Sequence, residues 1–297
     1  MRPSLPITII LLLSSTLWMA VANADSLKIL VTDADLGHFQ RLVDHRDIRK
    51  IRDYGGPHSN REAVELVLLH QALRLGGYSG EIELVSENNY SRMIRLITQG
   101  KATLAGTSIW ADDVTELNKL WVTDAIIREG EFAVGIYVRP DNKRAMQART
   151  LADYTLLSAV SNRNWQVDWR TLEAMQLTHL YHINNMQLMV KMIDAGRGDF
   201  MLAPFSARED LAIVDYGAHL VPVPGIKILF NDSRHWIISK SDPLGQRAFQ
   251  ALQAGLKQLR SEHRVVQAYR QSGFFNPSVA DWTAINLPES SSSNNTP

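Results

Sequence analysis

The residues best suited to covalent chemistry are a serine and the acids that follow it. Ser108 precedes Asp112 and Asp113, and nine histidines are spread along the chain, so a Ser-His-Asp triad can be drawn. However, no G-x-S-x-G turn surrounds Ser108, and no pair of oxyanion donors can be identified. The sequence therefore predicts that the protein is not an enzyme.

Asp33, Asp35 and His38 form the closest group of metal-ligating residue types. Acids that follow a first strand commonly begin a helix or face solvent, and no second cluster at a diagnostic spacing joins these three. His179 and His182 are three residues apart, which on a strand points them to opposite faces. We predict no metal site and no cofactor.

The tripeptide Arg197-Gly198-Asp199 matches the sequence that animal adhesion proteins present to integrins. It runs directly into an apolar segment at residues 200–203, whereas an adhesion loop should be exposed on both sides. A structural role in a tight connection explains these residues better than an adhesion role.

The stretch that holds the tripeptide repeats an earlier one. Residues 93–105 and 189–201 each contain an amphipathic helix with a basic residue at the same point, then a glycine, a basic residue and an apolar strand. The glycine stands where a helix takes a left-handed C-cap. Two copies, one in each half of the chain, predict two similar α/β lobes.

Strands alternate with helices along most of the chain, which predicts mostly parallel sheets. In the first half we predict strands at 27–31, 81–85 and 104–109, and helices at 60–75 and 89–99. In the second half we predict strands at 155–160, 179–183, 200–203 and 219–223, and helices at 164–175 and 185–195.

Two extended stretches, one at 131–138 and one at 227–230 and 236–239, are predicted to carry the chain between the lobes. The last helices, at 243–260 and 262–271, have no counterpart in the second half and are placed back on lobe one. Lobe one is then residues 25–138 plus 228–287, and lobe two is residues 139–227. Residues 288–297 are rich in Ser and Asn and are predicted to be a disordered tail.

Composition and the N-terminus limit the possible compartments and partners. Lys plus Arg equal Asp plus Glu at 31 each, so no long-range field attracts nucleic acid. Met1-Arg2, an apolar run at 7–13 and Ala22-Asn23-Ala24 are typical of a secretory signal peptide cleaved after Ala24. With no cysteine for a disulfide or a lipid anchor, we predict a periplasmic monomer with no membrane insertion after cleavage.

The chain resembles the type 2 periplasmic solute-binding proteins, especially the group that includes amino-acid binders of ABC transporters. The resemblance rests on the signal peptide, LITQGKATLAGTS at 96–108, REGEFAVGIYVRPDN at 128–142, MIDAGRGDFMLAP at 192–204 and HRVVQAYRQSGFF at 263–275. It implies a two-lobed clamshell, each lobe a mixed, mostly parallel sheet flanked by helices, with two crossing strands as the hinge.

The resemblance also implies a small ligand in the cleft, at the carboxyl ends of the strands. Most of those ends combine polar groups with aromatic ones. The predicted ligand-binding residues are Asp33, Asp35, Thr107, Ser108, Trp110, Arg128, Ser161, Asn162, Arg163, Trp165, Pro204 and Phe205. Arg163, at the start of a helix, and Arg128 are the predicted anion-binding groups.

One departure from the family pattern bears on the ligand. Amino-acid binders usually have an arginine shortly after the strand of lobe one that precedes the cleft, which clamps the ligand's carboxylate. This chain has Asp112-Asp113 there. A standard free α-amino acid is therefore not the expected ligand.

The sequence thus predicts a periplasmic solute-binding protein. It would capture a small polar or anionic solute, amino-acid-like or another organic acid, for an ABC transporter permease or a sensor. One alternative is a ligand-free sensory or protein-interaction accessory with the same fold. Another is a dehydratase-like enzyme, since a few relatives of this fold are dehydratases.

Overall fold

A computed structural model describes residues 26–287 except Thr115, Leu117 and Ala207. The predicted signal peptide, residues 1–24, and the predicted tail, residues 288–297, lie outside the described residues. In the described part of the chain, no helix combines the length and the apolar character needed to cross a bilayer.

The regular elements alternate as the sequence pattern predicts. The helices are α1 (Asp33–Val43), α2 (Arg61–Leu75), α3 (Tyr90–Thr98), α4 (Lys143–Gln147), α5 (Leu151–Tyr154), α6 (Gln166–Ala174), α7 (Met186–Asp194), α8 (Gly245–Ser261) and α9 (Arg264–Gln271). The strands are β1 (Leu27–Val31), β2 (Ile82–Ser86), β3 (Leu104–Ala105), β4 (Ile109–Trp110), β5 (Leu120–Val122), β6 (Ala133–Val138), β7 (Ser158–Ser161), β8 (His179–His182), β9 (Phe200–Pro204), β10 (Ile213–Asp215), β11 (Ala218–Pro222), β12 (Ile226–Leu229), β13 (Arg234–His235), β14 (Ile237–Ser239) and β15 (Thr283–Ala284).

The strands form two main sheets, one in each lobe. The first has the order β2-β1-β3-β14-β5, in which β1 pairs in parallel with β2 and β3, and β14 is antiparallel to both of its neighbours. The second has the order β10-β11-β6-β9-β7-β8, in which β7 is parallel to β8 and β9, and β6 is antiparallel to β9. In each sheet, three parallel strands are therefore followed by an antiparallel one.

The internal repeat seen in the sequence corresponds to equivalent parts of the two lobes. Gly100 follows α3 with φ of +71°, and Gly196 follows α7 with φ of +68°, so both glycines provide the predicted left-handed turn before a strand. Asp199 accepts hydrogen bonds from the backbone N–H (2.8 Å) and the hydroxyl (2.7 Å) of Ser158. Its carboxylate thus binds the turn between α7 and β9 to the first residue of β7, which agrees with the structural interpretation of the tripeptide.

Helices α8 and α9 pack against α2 in lobe one. The contact between α2 and α8 is very close: a Cβ at Gly255 would lie 1.9 Å from the carbonyl oxygen of Ala72, and one at Gly76 would lie 1.9 Å from that of Ala251. Glycine therefore permits a helix separation that no side chain would allow. The prediction that the last two helices return to lobe one agrees with this packing.

The two predicted crossing segments contain β6 and β12, and both strands belong to the second sheet. These two strands pair with each other, Ile228 opposite Val134, and β6 also pairs with β9 and β11. The C-terminal β15 adds to β12. We keep the predicted lobe boundaries, 25–138 plus 228–287 and 139–227, as a proposal, and place the hinge at these paired segments.

One strand prediction was wrong, and one long helix was missed. The strand predicted at 104–109 is divided into β3, which pairs with β1, and β4, which pairs with β13 in a separate two-stranded sheet. Helix α1 was not predicted. It begins at Asp33, where Thr32 accepts a hydrogen bond from the N–H of Asp35 at 3.0 Å.

Candidate functional site

The floor of the space between the lobes is aromatic and apolar. Phe132 and Phe230 lie on the two crossing segments, where the N–H of Phe230 donates to the carbonyl of Phe132 at 3.0 Å. The ring centroid of Trp110, at the end of β4, lies 5.4 Å from that of Phe132 and 5.8 Å from that of Phe230. This cluster connects lobe one to the hinge and forms the floor of a cleft of about 360 Å³.

Residues of both lobes line the cleft. In lobe one these are Arg61, Glu62, Tyr90, Trp110, Asp113 and Arg234, in lobe two they are Asn164, Trp165, Asp168, Met186, Leu202 and Pro204, and on the crossing segments they are Phe132, Val134 and Phe230. Arg61 and Tyr90 are the first residues of α2 and α3, and Trp165 is the residue before α6. The site is therefore built where strands give way to helix N-termini, as expected for open α/β sheets.

A fully buried carboxylate lies directly behind the wall formed by lobe one. Glu65 accepts hydrogen bonds from the N–H of Ser108 (2.8 Å), the hydroxyl of Ser108 (2.9 Å) and the hydroxyl of Tyr269 (2.9 Å). It also pairs with Arg61 at 3.0 Å. Burial by itself would raise the pKa of Glu65, but Arg61, Arg234 and the Ser108 hydrogen bonds lower it overall.

Arg234 is fixed beside this carboxylate. Its Nε donates to the hydroxyl of Ser108 at 2.9 Å, and a second guanidinium nitrogen donates to the carbonyl of Ser108. The guanidinium carbon lies 4.5 Å from the ring centroid of Trp110. Ser108 is fully buried between Glu65 and Arg234, so its hydroxyl serves this network and is not exposed as a nucleophile.

A tyrosine and an aspartate form the next part of the wall. The hydroxyl of Tyr90 donates to Oδ2 of Asp113 at 2.7 Å, and the N–H of Trp110 donates to the Tyr90 oxygen at 3.4 Å. Asp113 is 8% exposed, and its Oδ1 is buried with no hydrogen-bond partner among the described residues. Burial raises the pKa of Tyr90 and also that of Asp113, against the lowering effect of the Tyr90 hydrogen bond and of Arg234.

Asp168, in the first turn of α6, faces this wall from lobe two. The pKa of Asp168 is raised to about 7: burial is the main cause and the charge of Asp113 adds to it, against the lowering effect of its own backbone N–H and of Arg234. The two carboxylates thus share one cleft and disfavour each other's ionisation. No group of three or more metal-ligating side chains occurs in the described residues.

Three of the predicted ligand-binding residues line the cleft: Trp110, Trp165 and Pro204. Two others, Thr107 and Ser108, lie behind its wall, where the hydroxyl of Thr107 donates to Glu65 at 3.2 Å.

The remaining seven predicted residues lie outside the cleft lining. Asp33 is exposed at the start of α1, and Asp35 is half-buried there, near Glu62. Arg128 is exposed, and the guanidinium carbon of the exposed Arg163 lies 4.8 Å from the ring centroid of Trp169. The other three are buried side chains at strand ends: Ser161, Asn162 and Phe205.

The sequence pattern did not indicate most of the polar and charged residues of the cleft. Arg61, Glu62 and Tyr90 stand at helix N-termini, and a capping signal at Asn60 and at Asn89 could have pointed to them. Arg234 lies in β13, a strand of two residues, which is too short to show a periodic pattern in the sequence. Asp168 lies inside an amphipathic helix, where an acid in the first turn is common.

Similarity to known proteins lies in the fold and not in the sequence. No family model and no curated protein matches the chain. The periplasmic VFT2 domain of BvgS from Bordetella pertussis has a TM-score of 0.52 at 14% identity, covering 70% of this chain and 83% of that one. A double mutant of the same domain has a TM-score of 0.51 with the same identity and coverage.

An amino acid ABC transporter substrate-binding protein from Streptococcus pneumoniae, bound to L-arginine, has a TM-score of 0.49 at 14% identity, covering 70% of this chain and 82% of that one. The molecule has the two-lobed α/β fold of the type 2 periplasmic binding proteins, with mixed sheets flanked by helices, as the sequence predicted.

Proposed function

We propose that the protein captures a small polar solute between its two lobes by hinge closure. The closed form would then be presented to the permease of an ABC transporter or to a sensor. The observation that carries this proposal is the cleft of about 360 Å³, which charged and aromatic side chains of both lobes line together. A site that needs both lobes is complete only when they approach, so binding is coupled to closure.

The size and lining of the cleft support a small ligand. A volume of about 360 Å³ is at the lower end of the range of small-molecule sites, about 300–1,000 Å³. Aromatic rings at Trp110 and Trp165 offer flat apolar surfaces on the two lobes. The charged side chains between them would orient a polar ligand.

The proposal is a binding role without turnover, in the periplasm, as a monomer. Ser108 is sequestered by Glu65 and Arg234, which leaves it no activating histidine among its hydrogen-bond partners. The prediction of an anionic solute depended on Arg163 and Arg128, which lie outside the cleft lining. We therefore propose a polar solute.

Native mass spectrometry of the protein purified from its own cells tests the proposal directly. We expect a stoichiometric small molecule in the folded protein that disappears on denaturation. Isothermal titration of the emptied protein should recover its binding. At a ligand concentration a hundred times the dissociation constant, unfolding should become about 2.7 kcal/mol more costly.

Two tryptophans provide a matched pair of variants. Trp165→Ala removes a ring of the cleft and should weaken solute binding by at least about tenfold. Trp121→Ala removes a ring that stacks on Phe249 at 5.1 Å, outside the cleft lining, and should leave binding unchanged.

If no solute of a broad metabolite library binds while a partner protein is captured by the empty form, the ligand-free accessory replaces this proposal. Turnover of a prephenate-like acid would favour the dehydratase alternative instead.

A further inference from the structure

One carboxylate oxygen of the cleft lacks the partner that its burial demands. Asp113 is 8% exposed; its Oδ2 is bound by Tyr90, and its Oδ1 has no partner among the described residues. A buried, unpaired charged oxygen is costly, and folded proteins rarely retain one without a use. Because Asp113 lines the cleft, a ligand that enters it can supply the missing donor.

The charges around the cleft do not balance. Arg61 pairs with Glu62 and Glu65, and Arg234 is bound to Ser108 close to the same Glu65.

Two positive charges thus lie beside two matching carboxylates, which leaves Asp113 of this wall and Asp168 of the facing lobe without a matching cation among the cleft-lining residues. Arg234 and Arg170 lower the pKa of Asp113, whereas burial and Asp232 raise it, so the groups facing it give no full compensation. A cation placed between Asp113 and Asp168 would relieve this repulsion.

The cleft holds no arginine that is ready to clamp a carboxylate. The Nε and one terminal nitrogen of Arg234 are already occupied by Ser108, and its face is stacked on Trp110. Arg61 is engaged by two carboxylates of its own helix. Bidentate recognition of an acid requires two N–H groups along one guanidinium edge. In Arg234 the Nε–Nη2 edge is bound to Ser108, and in Arg61 both terminal nitrogens are bound to carboxylates.

We propose that the solute carries a cationic nitrogen with at least one N–H, which is seated between Asp113 and Asp168. The N–H donates to Oδ1 of Asp113, and the apolar part of the solute lies against the aromatic floor formed by Phe132 and Phe230. The ligand class is an organic amine or guanidine. This inference rests on the proposed solute-binding function and specifies the chemistry of that site.

Isothermal titration with matched small molecules tests the charge and the hydrogen bond separately. The probes are 1,4-diaminobutane, the corresponding guanidine agmatine, and the bis-quaternary diamine in which each nitrogen carries three methyl groups. The fourth is adipate, which has the same four methylene groups between two carboxylates. We expect binding of the amine or the guanidine. The methylated form keeps the charge but has no N–H, so it should bind at least about tenfold more weakly. Adipate should not bind.

Two isosteric variants test the residues. Asp113→Asn and Asp168→Asn should each weaken binding of the amine or guanidine by about tenfold or more, since each removes one partner of a charged hydrogen-bonded pair. Asp141→Asn, at a carboxylate that pairs with Arg139 on the surface of the protein, is the matched control and should bind like the unaltered chain. Circular dichroism melts establish folding, and Asp168→Asn carries the test if Asp113→Asn does not fold.

The possible failures are distinguishable. Binding of the amine to both cleft variants as tightly as to the unaltered chain would overturn the inference. So would binding of adipate, or of another acid or neutral solute from the library, with none of the amines or guanidines binding; the proposed function would then stand. If no solute of any class binds, the proposed function fails as well.

Discussion

Arg170 of lobe two and Asp112 of lobe one form an ion pair between the lobes, with Nη2 2.6 Å from Oδ2. Arg170 lies on α6, and Asp112 lies in the single turn of 3-10 helix that follows β4. Both side chains are about half exposed. Exposed ion pairs contribute about 0–1 kcal/mol, so this contact favours the closed arrangement only weakly. A weak contact suits the proposed function, in which the lobes separate again to release a solute.

Arg170→Ala should shift the lobes toward a more open arrangement. Loss of up to about 1 kcal/mol changes the ratio of closed to open molecules by at most about fivefold. We expect a larger radius of gyration by small-angle X-ray scattering in the solute-free protein, and a solute affinity reduced by a factor of up to about five.

Arg208→Ala is the matched control for this experiment. Arg208 pairs with Asp210 at 2.9 Å, and both side chains have nearly the same exposure as Arg170 and Asp112, but the pair lies within one loop. Its loss should leave the radius of gyration unchanged. Equal scattering curves for the unaltered chain and Arg170→Ala would show that the cross-lobe pair does not influence closure.

The fold was predictable because its signals are local and repeated. A capping residue before α2, amphipathic helices, and a glycine after both α3 and α7 each specify a local conformation, and two copies in one order indicate two lobes. Helix α1 was missed because its stabilising cap, Thr32, follows a strand without a break, and Gly37 weakens the helical pattern. Short β3 and β4 were merged because β4 leaves the sheet of β3 to pair with β13, a partner far along the chain.

The site was only partly predictable, because it is assembled from residues far apart in the chain. Strand ends could be located from the pattern, and so Trp110, Trp165 and Pro204 were found. Pairing of Glu65 with Ser108 joins residues 43 positions apart, and Arg234 reaches Ser108 from 126 positions away. No spacing rule relates such residues. The same limit made Arg163 a reasonable choice from its helix start, although its guanidinium packs on Trp169 instead.

Asp168→Asn should change how the stability of the protein depends on pH. A carboxyl whose pKa is raised on folding, here to about 7 from about 4, binds its proton more tightly in the folded chain. Its favourable contribution to stability is complete below pH 4 and is lost as the pH rises through 7. Between these values the loss approaches about 1.4 kcal/mol per pH unit.

Urea unfolding at several pH values between 4 and 8 measures this effect. The decrease in unfolding free energy from pH 5 to pH 7.5 should be smaller in Asp168→Asn than in the unaltered chain, by about 1–3 kcal/mol. Asp141→Asn, at an exposed carboxylate, should follow the unaltered chain. Parallel curves for Asp168→Asn and the unaltered chain would contradict a raised pKa at this position.

Glu65→Gln should be strongly destabilising, although it changes only the charge of a side chain. Glu65 is fully buried and is the shared partner of Arg61, Ser108 and Tyr269. Removing its charge leaves the nearby Arg234 and Arg61 with less compensation in a buried setting, which costs about 3–5 kcal/mol. Urea unfolding at pH 7 measures the loss.

Tyr269→Phe is the informative comparison for that variant. It deletes a single hydrogen bond to Glu65 and leaves the charges in place, so we expect a cost of about 1–2 kcal/mol. If Glu65→Gln cost no more than Tyr269→Phe, the charge of Glu65 would not be the source of its stabilising effect.

Gly255→Ala should reduce the free energy of unfolding by about 1–3 kcal/mol. The added methyl would lie 1.9 Å from the carbonyl oxygen of Ala72 and would force α8 away from α2. Helix propensity alone predicts the opposite sign, since alanine is favoured over glycine inside a helix by about 1 kcal/mol. Gly37→Ala in α1 isolates that propensity: its Cβ would lie 3.4 Å from only the end of the flexible Arg41 side chain, so it should be neutral or stabilising. Urea unfolding of the two variants side by side measures the difference, and a stabilised Gly255→Ala would refute the close contact between α2 and α8 as the reason for that glycine.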